Sequence, residues 1–155
     1  MAEQFHLGVA EISTQIKNRH LSPVELAESL LARIDNLDPA LQAWVTLDRE
    51  DIIATAQQRE RELEQSAWRG PVHGVPVGLK DIFYTAGMKT TACSRIYADF
   101  VPSYDATAVT RLKEAGAIIL GKTVTTEFAS SDPSPSRNPW NVAHTPGGSS
   151  SGSSV

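Results

Sequence analysis

Lys80 closes the stretch Val75–Lys80, Cys93 is the sole thiol, and histidines stand at 6, 20, 73 and 144. Gly116–Thr123 reads G-x-x-x-x-G-K-T, and Gly147–Ser154 is a run of glycine and serine. Each feature names a different chemistry. The G-x-x-x-x-G-K-T string suggests phosphate binding, but a phosphate loop has its strand before the first glycine, so that the four intervening residues form an amide cradle. Here those four, Ala117–Leu120, are themselves strand-like, and the nucleotide reading is set aside. No motif links Cys93 to a base, and a small buried thiol is the expected reading. The histidines lack metal-ligand spacing and read as surface or hydrogen-bonding residues, and one cysteine cannot supply paired thiolates or an internal disulfide; no metal site is inferred. Taken alone, Lys80 is a solvated strand-end lysine and the Gly/Ser run a flexible linker.

The elements that would carry these groups are legible from periodicity and punctuation. Val9, Ile12 and Ile16 recur at helical spacing, and Ser22-Pro23-x-Glu25 opens a second helix as a capping box with proline at its first position. That helix buries Val24, Ala27, Leu30, Leu31 and Ile34 and is expected to stop by Asp38-Pro39, because proline disfavours helix in the residue before it. Ala43–Leu47 reads as a short strand. Asp48–Gln65 reads as a surface helix with Ile52, Ile53, Ala56 and Leu63 near one face. Val75–Lys80 has the pattern of a buried strand. Asp105 can cap a helix over Ala106–Ala115 with Ala108, Val109, Leu112 and Ala115 inward and Gly116 as its C-terminal cap. Ala117–Leu120 follows as a core strand, and the Ser-, Pro-, Asn- and Gly-rich remainder from Ser130 to Ser154 reads as loop, in which Trp140 is taken as an anchor. Strand, helix and strand in this order predict an α/β sheet with helical cover.

Composition narrows the class without naming a function. With 155 residues, 41% hydrophobic and 21% charged, the chain can bury one core. A formal charge of -4 with interspersed signs gives no basic stripe for a phosphate backbone, so direct nucleic-acid binding is not expected. The apolar runs are too short to span a bilayer, and Met1–His20 has neither a signal-peptide core nor the character of a transit peptide. The expected setting is the reducing cytoplasm, with no membrane association.

Five blocks, in order, then acquire a joint meaning: Gly74-Val75-Pro76-Val77-Gly78-Leu79-Lys80-Asp81; Tyr104-Asp105-Ala106-Thr107; Gly116-Ala117-Ile118-Ile119-Leu120-Gly121-Lys122-Thr123; Asn138-Pro139-Trp140-Asn141; and Thr145-Pro146-Gly147-Gly148-Ser149-Ser150-Ser151-Gly152. Their order and spacing resemble the opening half of the amidase signature, and the likeness extends back through the N-terminal helices. It implies the N-terminal part of an α/β/α fold with a mixed central sheet covered by helices and incomplete here. Residues 1–66 would form an N-terminal helical region, and 67–155 the start of the catalytic core.

The resemblance further implies a Ser-Ser-Lys triad in which Lys80 is the base, Ser149 the relay, and a second serine the nucleophile. That serine would follow Ser149 by roughly two dozen residues, beyond Val155, with oxyanion-hole amides in its loop. It also implies a cis peptide between Gly148 and Ser149. A base must be found neutral, which an ordinary lysine at pH 7 is not, and burial at the end of an apolar strand would disfavour the ammonium. Asp81 would oppose this if it lay close, and strand alternation is expected to point it away. A hydroxyl can accept and donate at once, which suits Ser149 to a relay. Ser150 and Ser151 are weaker candidates for contacts to substrate or relay.

Two departures stand out: Ser151 and Ser153 where glycine or a small residue is usual, and Val124, whose side chain can make no hydrogen bond, where asparagine is common. The implied activity is hydrolysis of a small-molecule carboxamide through an acyl-serine, with no cofactor. The isolated 155 residues, without the nucleophile, would be inactive. The alternative of the same family is the glutaminase-type A subunit of a tRNA-dependent amidotransferase, working with partner subunits. A homodimer, or a non-catalytic binding domain, also stays open.

Overall fold

The computed structural model describes residues 6–130 and 132–155. Met1–Phe5, part of the stretch read above as no leader, and Ser131 lie outside the described residues. The fold is α/β. Its elements run α1 (Val9–Lys17), α2 (Pro23–Leu41), β1 (Trp44–Leu47), α3 (Arg49–Glu64), β2 (Pro76–Lys80), α4 (Thr107–Glu114), β3 (Ile118–Thr123) and α5 (Ser151–Ser154), with 3-10 turns at Arg95–Tyr97 and Glu127–Ala129. The three strands form a mixed sheet in the order β1-β3-β2. β1 runs antiparallel to β3. β2 and β3 advance together, from Ile118 N donating to Val75 O to Asp81 N donating to Thr123 O, and are parallel.

The chain divides into two compact units interleaved in sequence. The first comprises residues 1–34, 48–77 and 110–120. Its core gathers Ile12, Ile16, Leu21, Leu26, Leu63 and Val75, with Leu7, Leu30, Trp68 and Val72 packed against them. Ser22 caps α2 through its Oγ, which accepts from Val24 N at 3.0 Å and Glu25 N at 3.3 Å, and itself donates to Glu60 at 2.5 Å. Asp48 caps α3 in the same way, accepting from Asp51 N at 3.1 Å. Glu62 on α3 binds Arg59 at 2.7 Å and Arg69 at 2.5 Å. Burial alone would raise the Glu62 carboxyl, but the hydrogen bonds from Arg69 and Arg59 hold it below the usual carboxylate range. His73 is fully buried, with Nε2 2.9 Å from Arg59 O. Burial pushes its imidazole down, against the bond to Arg59 and the charge of Glu62. Gly116, at φ 90°, ends α4, and a Cβ there would sit 2.9 Å from His73 Nδ1.

The second unit comprises residues 35–47, 78–109 and 121–155. β1 meets β3 with Trp44 opposite Thr123, Thr46 opposite Lys122 and Leu47 opposite Gly121, and the register slips between Trp44 and Thr46. Gly121, at φ 153°, lies so close to this irregularity that a Cβ would come 2.1 Å from Thr46 O. Only glycine fits there. Within β2, a Cβ on Gly78 would come 2.9 Å from the Trp44 ring.

Five expectations need correction. β2 is buried only at Leu79, with Gly78 exposed and Pro76, Val77 and Lys80 half-buried, and the remainder read as loop ends in the helical turn α5. α2 does not stop before Pro39 but runs through it to Leu41. Asp38 stays helical because its carbonyl takes Gln42 N at 2.8 Å, while its carboxylate takes Ala43 N at 2.6 Å and Trp44 N at 3.3 Å. The lost proline donor falls in the last turn, where the penalty is smallest. On α4, Val109 is buried and Leu112 half-buried, as is Ala115 just beyond its end, but Ala108, in the first turn, is exposed. Trp140 is no anchor: it is 95% exposed. Its loop is held instead by asparagine, with Asn138 N donating to His144 O at 3.0 Å and Asn138 Oδ1 accepting from Trp140 N at 2.9 Å.

No helix among the described residues is long and apolar enough to cross a membrane.

Candidate active site

Lys80, Ser149 and the side chains that bond to them lie in the second unit. Lys80 ends β2, and its Nζ donates to Ser149 Oγ at 2.6 Å, a contact between residues 69 positions apart. Both residues are half-buried. The peptide between Gly148 and Ser149 is cis. Gly147, at φ 92°, turns the chain into it, and a Cβ on Gly148 would come 2.9 Å from Thr126 Cγ2. The Ser149 carbonyl accepts twice, from Thr125 Oγ1 at 2.9 Å and from Thr126 N at 3.1 Å. The far side of the serine turn is seated by Gly152, whose amide donates to Val124 O at 2.9 Å and where a Cβ would come 2.1 Å from Ala43 O. Thr126, Ala129, Ser130, Pro133, Thr145 and Gly147–Ser149 line a cleft of about 450 Å³ beside the serine hydroxyl.

Ser150 and Ser151 lie next to this pair without joining it. The Ser150 carbonyl accepts Ser153 N and Ser154 N, each at 3.1 Å, and so closes the single turn of α5. Ser151 is fully buried, and its Oγ has no hydrogen-bond partner among the described residues. Ser153 Oγ stands 2.9 Å from Thr123 Oγ1. At Val124 the apolar side chain is buried and the main chain does the bonding, with Val124 N donating to Ala43 O at 2.8 Å.

The deep burial expected of Lys80 belongs to another lysine. Leu79 is buried but Lys80 is half-exposed at the strand end, whereas all six residues of β3 are buried, Lys122 among them. Lys122 is fully buried; its Nζ donates to Phe83 O, to Thr90 Oγ1 at 2.8 Å and to Thr85 Oγ1 at 3.4 Å, and it lies 3.8 Å from Asp81 Oδ1. Burial pushes its ammonium down to about 8, with Asp81 acting the other way. Asp81 is also fully buried, and its carboxylate accepts from Thr91 N at 3.1 Å, Thr91 Oγ1 at 2.5 Å and Cys93 N at 3.4 Å. Lys80 and Asp81, neighbours in sequence, thus serve different partners.

Cys93 is half-buried and accepts from Thr125 N at 3.3 Å. Burial raises its thiol, away from the thiolate a nucleophile needs. Of G-x-x-x-x-G-K-T, residues 118–123 are strand, so the amide cradle of a phosphate loop does not form.

The amidase family model matches residues 25–155. The chain belongs to the amidase family. The glutamyl-tRNA(Gln) amidotransferase A chain from Geobacter metallireducens is 46% identical to it over 99% of this chain and 33% of that protein. Its counterpart from Streptomyces coelicolor is 41% identical over 100% of this chain and 32% of its own length. Among solved structures, native peptide amidase from Stenotrophomonas maltophilia superimposes with a TM-score of 0.87 at 38% identity, covering 94% of this chain and 32% of that enzyme. The chain spans about a third of the length of the curated relatives it matches.

Sequence reasoning named Lys80 and Ser149 but missed Thr125 and Thr126 as the holders of the Ser149 carbonyl, and missed the buried Lys122–Asp81 pair. A lysine inside a continuous apolar run, Ala117–Leu120 followed by Gly121-Lys122, was the available signal for the pair. Nothing local marked the threonines, whose partner lies more than twenty residues on.

Proposed function

We propose that this amidase-family chain carries two members of a Ser-Ser-Lys relay, Lys80 as base and Ser149 as the serine between it and the nucleophile, in a full-length protein that cleaves a carboxamide C–N bond. The observation that carries the reading is the 2.6 Å contact of Lys80 Nζ with Ser149 Oγ at a cis peptide beside an open cleft. In the reaction a neutral Lys80 takes the Ser149 proton as Ser149 takes one from the nucleophilic serine, whose oxygen bonds to the amide carbon. The C–N bond then breaks, the relayed proton leaves with the nitrogen, and water releases the acid from the acyl-serine. Ser150 and Ser151 are weaker candidates for contacts to substrate. Residues 1–66 are proposed as a helical region preceding the catalytic core, and the cytoplasm as the setting.

Two substrate readings belong to this mechanism. The curated relatives, 39–46% identical, are A subunits of glutamyl-tRNA(Gln) amidotransferase, and they favour glutamine as the amide and partner subunits as the working context. The likeness to peptide amidase keeps a free-standing amidase as the second reading. This order reverses the one reached from the residues alone, where free amide hydrolysis came first.

In the full-length protein, Lys80→Ala is expected to fold and to lose turnover by about 10³-fold or more, as loss of a general base at an activated serine does. Retained turnover in a folded K80A protein would refute the relay. Ammonia release from glutamine only with partner subunits present supports the amidotransferase reading, and turnover of simple amides by the protein alone supports the other.

A further inference from the structure

The buried pair Asp81–Lys122 sits one residue beyond the proposed base, and its connections lead to the proposed relay. All four polar handles of Asp81 are engaged: its amide donates to Thr123 O at 3.0 Å, its carbonyl accepts from Ala92 N at 2.9 Å, its Oδ1 accepts from Thr91 N and lies 3.8 Å from Lys122 Nζ, and its Oδ2 accepts from Thr91 and Cys93. From Cys93 the chain of bonds continues. Its Sγ accepts Thr125 N at 3.3 Å, Thr125 Oγ1 donates to Ser149 O at 2.9 Å, and Ser149 Oγ accepts from Lys80 Nζ at 2.6 Å. The result is a closed ring, Lys80–Asp81–Cys93–Thr125–Ser149, with one covalent link and four hydrogen-bonded ones.

We infer that Asp81 and Lys122 form a clamp of positioning residues that holds the backbone of Lys80 in register with Ser149 through Cys93 and Thr125, an inference that rests on the reading of Lys80 as base. The physical reason lies in the two half-buried ends. A lysine side chain has four free torsions and a serine hydroxyl one, so packing alone leaves the contact loose, and a proton relay tolerates little looseness. Fixing the residue after the base and the carbonyl of the relay sets the separation of the two backbones, so that only the side-chain torsions are left for the Lys80–Ser149 contact to settle. A buried carboxylate can do this only if its charge is met, because an unpaired ion in the interior costs several kcal/mol. Lys122 meets it. Lys122 is tied in turn by Phe83 O, Thr85 and Thr90, all on the segment that leaves β2, so the clamp also pins the chain just beyond Asp81.

The test uses the full-length protein and steady-state kinetics on the amide it turns over, with K80A measured alongside. Lys122→Met is expected to lower kcat by about 10²-fold with KM unchanged, since positioning of the base is felt at the chemical step and not in substrate binding. The double variant Asp81→Asn with Lys122→Met restores neutrality while Asn keeps an acceptor for Thr91, and it should regain about tenfold of that loss. An unchanged kcat in folded K122M, or a double variant no better than K122M, overturns the clamp. If K122M does not fold, Thr125→Val breaks the same ring without touching a charge: a lower kcat at constant KM supports the inference, and an unchanged kcat overturns it. Turnover surviving in K80A would instead defeat the relay itself, whereas an inactive K80A beside an unaffected K122M defeats the clamp alone.

Discussion

Lys122 is the residue at which burial and charge conflict most openly. Its ammonium, pushed down to about 8 by burial, releases its proton in the folded chain well before an unfolded lysine does at about 10.4. Between those values the unfolded chain binds more protons, so stability rises with pH. Raising the pH from 8 to 10 should stabilise the protein by about 2 kcal/mol relative to K122M, read from the difference in their denaturant midpoints. A difference constant over that range would contradict the burial assigned to Lys122. The clamp and the charge are separable here, because the kinetic test reads the pair at neutral pH and this one reads the lysine alone.

At the scale of elements, the turn carrying Ser149 is located by its backbone. Gly152 brings α5 against Ala43 O and Val124 at distances no side chain permits. Gly152→Ala must therefore lift the turn off the strands, and the expected cost is about 2 kcal/mol or more with a loss of turnover in the full-length protein, checked by thermal melting and kinetics together. A G152A protein as stable and active as its parent would mean that the turn is seated otherwise. Elements of this kind differ in how far sequence discloses them. α2 and α3 were legible at their starts because Ser22 and Asp48 cap their own helices within three residues. The end of α2 was not, because Asp38 compensates for Pro39 with amides on the next element. β3 was read four residues long and is six, since Gly121 serves the neighbouring strand and Lys122 finds its partners on the segment after β2. The Lys80–Ser149 contact, across 69 residues, was reachable only through the joint order of five motifs; no local pattern at either residue required it.

For the molecule as a whole, the two units answer to pH from opposite sides. In the first, burial keeps His73 neutral, with its imidazole pushed below the usual value near 6.5, so its contribution is fully present above about pH 6.5 and is lost as acid drives the unfolded chain to take the proton. Glu62 adds to this at lower pH, since a carboxylate held by Arg59 and Arg69 loses its stabilisation once protonated. In the second unit, Lys122 acts on the alkaline side. Hydrogen exchange compared at pH 7.5 and pH 5.5 is expected to show protection lost first around Arg59–His73, ahead of Gly121–Val155, and loss in the reverse order would contradict this assignment.

The serine-bearing loop carries its own optical reporter. Of the three indoles, Trp44 and Trp68 are half-buried, while Trp140 is 95% exposed nine residues before Ser149. A water-soluble quencher such as iodide reaches that ring far sooner than the other two. The quenchable part of the emission is thus a native probe of the segment leading into the active site, read without a label being attached.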